Sequence, residues 1–248
     1  MNDAKFDGLA EYYDNSRPRY PQELFQEIFK EINLPFPWKV LDVGSGTGIV
    51  LEAIVPLLSS DSSIEACDIS EDMVSIGRKK FPEAKWHVGR VEEYLQRHSD
   101  YALIVAGQSY QWLSRKDFLT KAKKALIHQG CLIIIQNNRN YNAGGFAEEY
   151  ETLLETYSPG YSRHYRDIDV EEELKEYFPK VIAKDAKWVR EMSAKDFLTM
   201  SFSSTQAQRA IESNENDFKH NLDELIKRYS TKNQLNLPYK TELFLAAK

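Results

Sequence analysis

The 248-residue sequence contains only two cysteines, Cys67 and Cys131, both inside apolar stretches. Two such thiols exclude a disulfide-stapled scaffold and a cysteine-built zinc site, and they read as reduced core residues. The chain also lacks a run of about 18 uncharged apolar residues, so no membrane-spanning helix is expected. Its opening, MNDAKFDGLAEYYDNSRPRY, lacks the basic-then-apolar layout of a secretory signal. A cytoplasmic home is therefore the expectation. Positive charge is scarce as well: Lys and Arg total 32 against 38 Asp and Glu, a net charge of −6. That balance argues against a nucleic-acid partner, whose phosphates are held by clustered Lys and Arg. The most basic helical stretch is KDFLTKAKKALIHQG at 116–130. Its Phe118, Leu119, Ala122, Ala125 and Leu126 recur at helical spacing, so its lysines read as a solvated face. No Ser-His-Asp set, metal cluster or pair of catalytic acids stands out.

What is present is alternation. KVLDVG, SIEACDI, AKWHVGRV, YALIVAG and GCLIIIQNN have strand length, and amphipathic segments separate most of them. That order predicts an α/β fold of Rossmann-like type, a parallel sheet with helices on both faces. ALIVA and CLIIIQ are continuous rather than alternating, as strands buried on both sides are. Ser70 before Glu71 and Asp72 predicts a helix start, and Gly130 is read as a helix end. Upstream, PQELFQEIFKEI carries Leu24, Phe25, Ile28, Phe29 and Ile32 as a helical stripe behind Pro21.

Beyond Asn138 the pattern changes. NNRNYNAGGF reads as a loop, EEYETLLETYSPGY and VEEELKEYF as helices, and KVIAKDAKWV as a strand. QLNLPYKTELFLAAK alternates with period two, placing Leu235, Leu237, Tyr239, Leu243 and Leu245 on one face and Pro238 at a bulge or edge. The helical stretch of about 193–231 becomes an insertion between two closing strands. The expected organisation is a single domain, 1–248, with an N-terminal helical lid at 1–37, a ligand-binding core at 38–138, and acceptor-side helices and closing strands at 139–248.

The chemistry begins at WKVLDVGSGTG. Gly44, Gly46 and Gly48 follow a strand and open a helix, where tight turns, close ligand approach and unpaired amides coincide. The dinucleotide fingerprint requires a small residue where Ile49 stands, and a phosphate-binding P-loop requires a lysine that this loop lacks. Asp42 beside the glycines would repel a pyrophosphate and suits a ligand with a cationic amino-acid end. Asp68 ends the second strand, 24 positions after Gly44, where a carboxylate can accept from both hydroxyls of a ribose.

With DVGSGTG, ACDIS, HVGRVEEY, YALIVAGQSYQW and AKKALIHQGCLIII in order over residues 38–136, the chain resembles the class I S-adenosylmethionine-dependent methyltransferases. The flanks AEYYDNSRPRYP and GQSYQWLSRKDFL are similar to the small-molecule branch that includes trans-aconitate methyltransferase-like enzymes. The resemblance implies a seven-stranded sheet with its last strand antiparallel and S-adenosylmethionine as cofactor. It implies that Gly44, Ser45 and Gly46 line the methionine part, with Asp42 ordering the loop or meeting the amino group and Gln108 also at the methionine end. Asp68 then holds the ribose, Ile69 and Met73 cover the adenine face, and the backbone around Arg90 and Val91 contacts adenine. Tyr13 and Arg17 belong to the N-terminal segment that closes over the cofactor.

Two departures stand out. Arg90 replaces the usual acidic residue, with Glu92 as a substitute acceptor, and Gln111 replaces the usual histidine. No catalytic residue is assigned. The acceptor-side candidates are Tyr13, Tyr110, Gln111, Trp112, Arg163, His164 and Arg166. The expected activity is in-line methyl transfer to a small molecule, with a carboxylate among the candidate acceptors because it would need no general base. A module that binds the cofactor without catalysis is the alternative. Metal is not expected, and the oligomeric state is left open.

Overall fold

The computed structural model describes residues 14, 15 and 17–248. Seven strands form one sheet: β1 (Lys39–Val43), β2 (Ser63–Asp68), β3 (Lys85–Val88), β4 (Tyr101–Gly107), β5 (Leu126–Arg139), β6 (Lys180–Ser193) and β7 (Gln234–Ala247). Their order is β3-β2-β1-β4-β5-β7-β6. β1 to β5 run parallel, and β7 is antiparallel to both β5 and β6. The sheet reverses direction of build-up between β1 and β4, the switch point at which open α/β sheets hold ligands.

The continuous apolar strands are central, as their sequences predict. β1 lies between β2 and β4, with Asp42 opposite Ala66 and Val105. Every residue of β4 up to Ala106 is buried. One sheet face packs Val40, Leu103, Ile133 and Leu245 against helix α1 (Gln22–Phe29) and helix α2 (Ile49–Ile54). The other packs Leu41, Ile104, Leu132 and Ile134 against α4 (Val91–Tyr94), α5 (Arg115–Ala125) and α7 (Val170–Lys175). Each fully buried Leu or Ile here stabilises the fold by roughly 1.5–3 kcal/mol relative to exposure. Helix α3 (Glu71–Lys80) starts where the sequence indicates, with Ser70 Oγ accepting from the Met73 amide at 3.4 Å. The basic helix α5 buries Phe118, Leu119, Ala122 and Ala125, leaving its lysines on the other face.

One local expectation is corrected and another is narrowed. Helix α5 stops at Ala125 rather than at Gly130, and the following residues already belong to β5, with Leu126 paired to Tyr101. The left-handed turn inside that strand is taken by Gln129, φ 62°. Of the two places expected for Pro238, a bulge or an edge, the structure shows the edge: the β6–β7 register passes through Val189↔Pro238 without a shift, and the β5–β7 register ends at Arg139↔Tyr239. The Pro238 carbonyl accepts from Asn140, just past the end of β5. The missing proline N–H points to the same side, where the β5 ladder has run out.

That end matters. β5 leaves β7 at Arg139↔Tyr239, whereas β6 and β7 stay paired as far as Ser193↔Gln234. The β6–β7 ribbon thus overhangs the carboxyl edge of the parallel strands. Its Met192, Leu235, Leu237 and Tyr239 form a third core with α6 (Gly145–Tyr157), α8 (Ala194–Phe202) and α9 (Thr205–Tyr229). Helix α9 is broken at Asn214 (φ −158°, ψ 83°), whose side chain caps the second half through the Asp217 amide at 3.3 Å. The inserted helices 194–229 therefore roof the ligand-binding edge of the sheet.

Candidate functional site

A cleft of about 350 Å³ opens at that edge, lined at one end by Gly44, Ser45 and Gly46 and at the other by Met200, Ser204 and Gln206. β1, β4 and β5 supply its floor, the overhanging ribbon and α8–α9 its far wall.

The glycine loop is held from inside. Gly44, Gly46 and Gly48 all have positive φ (60°, 53° and 82°). A Cβ on Gly44 would stand 2.4 Å from Ser109 Cβ, whereas one on Gly46 meets nothing within 4 Å. Gly44 is therefore required by close packing under the β4 segment, and Gly46 by its backbone conformation at the open surface. Several loop amides are committed: Gly44 and Ser45 donate to the Cys67 carbonyl (2.8 and 3.2 Å), and Gly46 donates to Asp68 Oδ2 at 2.8 Å. Asp68 Oδ1 accepts from the Ser70 amide at 2.9 Å. Asp68 thus ties the loop to the start of α3, and each oxygen keeps a lone pair for a further donor.

Asp42 lies beneath the loop, fully buried, and neither of its carboxyl oxygens has a hydrogen-bond partner among the described residues. Burial, with the neighbouring Asp68 charge adding to it, raises its pKa well above the ordinary carboxyl value. A buried acid with no protein donor is costly unless a donor or cation arrives, so the place suits a ligand ammonium group. Ser45 Oγ is similarly buried without a partner.

β4 leads into a turn at Tyr110–Trp112. Gln108 has φ 53°, and its Nε2 donates to the Asn137 carbonyl. Ser109 Oγ donates to the Val43 carbonyl at 2.7 Å. Gln111 Nε2 donates to the Gln108 carbonyl at 2.9 Å. The Oε1 atoms of Gln108 and Gln111 are both buried without a protein partner, and both residues line the cleft. Trp112 lines it too, 55% exposed at the mouth.

At the far side, Arg139 Nε and Nη2 both contact Glu151 Oε1 at 2.8 Å, and Tyr161 donates to Glu151 Oε2 at 2.5 Å. Arg163 makes a fork onto Glu155, through Nε at 2.9 Å and Nη2 at 2.6 Å. Lys240 pairs with Glu242 at 2.6 Å. Arg17 and Tyr20 contribute from the N-terminal side. There Asp14 Oδ1 accepts from Thr47 of the glycine loop at 2.5 Å and from Lys80 at 2.8 Å. Lys80 and Arg19 also pair with Glu52, at 2.5 and 2.7 Å. Burial pushes the Asp14 carboxyl up, but Lys80, Thr47 and Arg19 bring it below its ordinary value.

Of the residues singled out from sequence, Arg17, Gly44, Ser45, Gly46, Gln108, Gln111, Trp112 and Arg163 come together at the cleft. Tyr13 lies outside the described residues. Asp68 stands behind Gly46, and Ile69 next to it is 51% exposed. Met73 is placed in the interior, 3% exposed. Arg90 is exposed with Glu92 at 3.9 Å, while Val91 is buried. Glu92 Oε1 is occupied by the Ser114 amide at 3.0 Å.

Three acceptor-side expectations need correction. Tyr110 points away from the cleft, fully buried against Phe118, with its hydroxyl on Glu173 at 2.6 Å. His164 is a solvated residue paired with Asp167 at 2.6 Å. Arg163 already has a carboxylate in Glu155. Arg166 belongs to the same short turn, Arg163–Arg166. Sequence reasoning missed Arg139 because NNRNYNAGGF reads as a loop, and Glu151 and Tyr161 because EEYETLLETYSPGY reads only as a helix and turn. The signal available was an apolar strand running straight into amide and cationic residues at the sheet's carboxyl edge.

Among the described residues no group of His, Cys, Asp and Glu is arranged to hold a metal ion, and no helix is long and apolar enough to cross a membrane. A family model described as a methyltransferase domain matches residues 40–130. The chain is 27% identical over 222 residues to an uncharacterised methyltransferase of Schizosaccharomyces pombe, covering 87% of this chain and 84% of that protein. It is 25% identical over 128 residues to trans-aconitate 2-methyltransferase of Variovorax paradoxus, covering 52% of this chain and 48% of that one. A solved structure from Anaeromyxobacter dehalogenans, assigned to the type II methyltransferases, superposes with a TM-score of 0.69 at 17% identity, covering 93% of this chain and 97% of that one. The structural likeness speaks to fold alone.

Proposed function

We propose, for a chain that belongs to the class I S-adenosylmethionine-dependent methyltransferases, that it methylates a small polar molecule held between the glycine loop and the inserted helices. The observation that carries this reading is the continuity of the cleft, which runs from Gly44–Gly46 to Met200 and Gln206 without a dividing wall. When bound, the cofactor supplies a methyl group on a sulfonium sulfur that departs as a neutral thioether. The chain's contribution is alignment and exclusion of water.

The residues present fit that cofactor. The orphaned Asp42 carboxyl matches an ammonium group, Gly46 leaves open space above the loop, and Gln108 Oε1 supplies a further acceptor. In this assignment Gly44, Ser45 and Gly46 receive the methionine part, with Arg17 over it. Asp68 reaches the ribose with its remaining lone pairs. Exposed Ile69 covers the adenine, whose edge meets the backbone at Arg90 and Val91. Met73 supports that site from within rather than touching the ring.

The small-molecule assignment rests on the volume of the cleft, about 350 Å³, and the net charge of −6 speaks against a nucleic-acid acceptor. A cytoplasmic location belongs to the same reading. A carboxylate acceptor is the second reading, favoured by the relative named for trans-aconitate. Against it, Arg139, Arg163 and Lys240 are each engaged by a protein carboxylate.

The test is incubation with a metabolite extract and S-adenosylmethionine carrying a deuterated methyl group, followed by mass spectrometry. A labelled small molecule is expected. Label confined to protein or nucleic acid, or no label despite measurable cofactor binding, would sink the proposal.

A further inference from the structure

We infer that Gln111 selects the methyl acceptor, and that it selects a neutral amine or hydroxyl, which still carries a hydrogen, over a bare carboxylate. This deepens the proposed function and rests on the cleft being the methyl-acceptor site.

The orientation of the Gln111 amide is fixed by its surroundings. Nε2 donates to the Gln108 carbonyl at 2.9 Å. Turning the amide over would set Oε1 against that carbonyl, two acceptors facing each other. Gln108 cannot easily move to relieve such a clash. Its own amide is tied to Ile135 at 2.9 Å, its Nε2 to Asn137, and the next residue, Ser109, to Val43 at 2.7 Å. Oε1 is therefore held as the free end of the Gln111 amide, buried and with no protein donor.

An amide oxygen only accepts hydrogen bonds. Whatever lies against it must donate, and a carboxylate there would place lone pair against lone pair. The position points to the acceptor rather than the cofactor. Ser109 is the residue packed on Gly44, and Gln111 lies further along the turn, next to Trp112 at the cleft mouth. The wall opposite supports the same class, because its Arg139, Arg163 and Lys240 already neutralise Glu151, Glu155 and Glu242. A site built around a donor discriminates strongly against an analogue that lacks one, since its own buried acceptor is then left unpaired.

The amide is far too weak a base to take a proton, so Gln111 is a positioning and selecting residue. The acceptor's nitrogen or oxygen lone pair forms the bond to the methyl carbon while the electrons of the broken carbon–sulfur bond stay on sulfur. An amine nitrogen keeps its hydrogen through the transfer, becomes positively charged and then loses one proton to water, whereas a hydroxyl oxygen passes its proton to water as the new bond forms.

The test uses the full chain loaded with S-adenosylhomocysteine, with binding read by saturation-transfer NMR and by calorimetry. The fragment panel pairs amines, alcohols and phenols with carboxylates of the same carbon skeleton. Donor-bearing fragments are expected to bind at least about tenfold more tightly than their carboxylate partners and to lose about tenfold or more in Gln111→Leu. Affinity for S-adenosylhomocysteine should stay within about twofold, the spread of a residue outside the cofactor site. Carboxylates binding as well as donors, donor binding unchanged in Gln111→Leu, or no fragment of either class binding would each overturn the inference. Should Gln111→Leu lose cofactor affinity as well, Gln111→His decides, since an imidazole can both donate and accept. Cofactor affinity recovered with the preference for donors relaxed supports the selection, and both remaining low overturns it. If donor fragments bind through Gln111 and none is methylated when S-adenosylmethionine replaces S-adenosylhomocysteine, the recognition stands and the acceptor-site reading falls.

Discussion

The two ends of the cleft are built differently. At the glycine-loop end, Gly44, Gly46, Asp42 and Asp68 come from two adjacent parallel strands and the turns that follow them, and backbone amides do much of the holding. At the far end, which the proposed function assigns to the methyl acceptor, Arg139 ends β5, Glu151 and Glu155 lie on α6, Arg163 follows it, Met200 comes from α8 and Tyr239 from β7. There the holding is by side chains. The first construction uses backbone conformation, which few residue types can replace. The second uses packing and ion pairs, which many sequences can supply. The difference teaches that the glycine-loop end tolerates few substitutions, whereas the far end can be rebuilt from many side-chain sets.

Breaking each end should have distinct consequences, and the largest is expected at the acceptor end. Arg139→Ala would leave Glu151, almost fully buried, without its cation. A loss of roughly 3–5 kcal/mol is expected from an uncompensated buried charge. Urea unfolding measures it, and a loss under about 1 kcal/mol would show that the pair is not structurally committed. Next is Gly44→Ala, which combines a φ of 60° with a 2.4 Å approach to Ser109. It should cost about 2–3 kcal/mol and displace the turn carrying Gln108 and Gln111. Binding of S-adenosylhomocysteine by calorimetry should fall about 30–150-fold, which a loss of that size in binding energy produces. Gly160→Ala serves as the control outside the cleft: it too has positive φ (72°) but nothing within 4 Å. It should cost only about 1 kcal/mol.

Asp42→Asn separates function from stability. The folded-state pKa of Asp42 is raised, so its contribution to stability is fully present below its ordinary value of 3.8 and is lost as pH rises through the folded value. The unliganded protein should therefore weaken as pH climbs above the ordinary carboxyl range. Asp42→Asn should flatten part of that slope, leaving a share from Asp68, whose pKa burial also raises. Cofactor affinity should fall by about 10–100-fold, the worth of a hydrogen bond to a charged group. Thermal melts across pH with calorimetry test both halves. If the substitution weakens the unliganded protein at neutral pH, Asp42 is a structural group rather than a ligand-binding one. The smallest effect is expected from Tyr110→Phe, which removes only the hydroxyl contact to Glu173 at 2.6 Å. About 1 kcal/mol of stability should go. KM for any acceptor should not move, and a raised KM would return Tyr110 to the cleft.

How much was legible follows the same division. The parallel core, Ser70 as a helix cap and the glycine turn are local matters, decided by apolar runs of strand length and by residues with special φ or capping chemistry. The misread details are those in which a neighbour outweighs local preference. Leu126 leaves the helix because it pairs with Tyr101 at the start of β4. Tyr110 looked like a cleft residue by position, but its ring is taken by the core with Phe118 and its hydroxyl by Glu173 on another helix.

From the sequence alone, then, came the layered α/β core and the place of the cofactor loop, because both depend on spacing along the chain and on backbone conformations that few residues adopt. Only the tertiary structure decided what stands across from that loop. The overhang of β6 and β7 past β5 brings residues 139, 151, 163 and 200 into one wall. The turn after β4 commits the Gln111 nitrogen to the Gln108 carbonyl and leaves its oxygen without a donor among the described residues. Contacts between residues so far apart in the chain, and the direction of one amide, are set by packing and hydrogen-bond partners that no local pattern encodes.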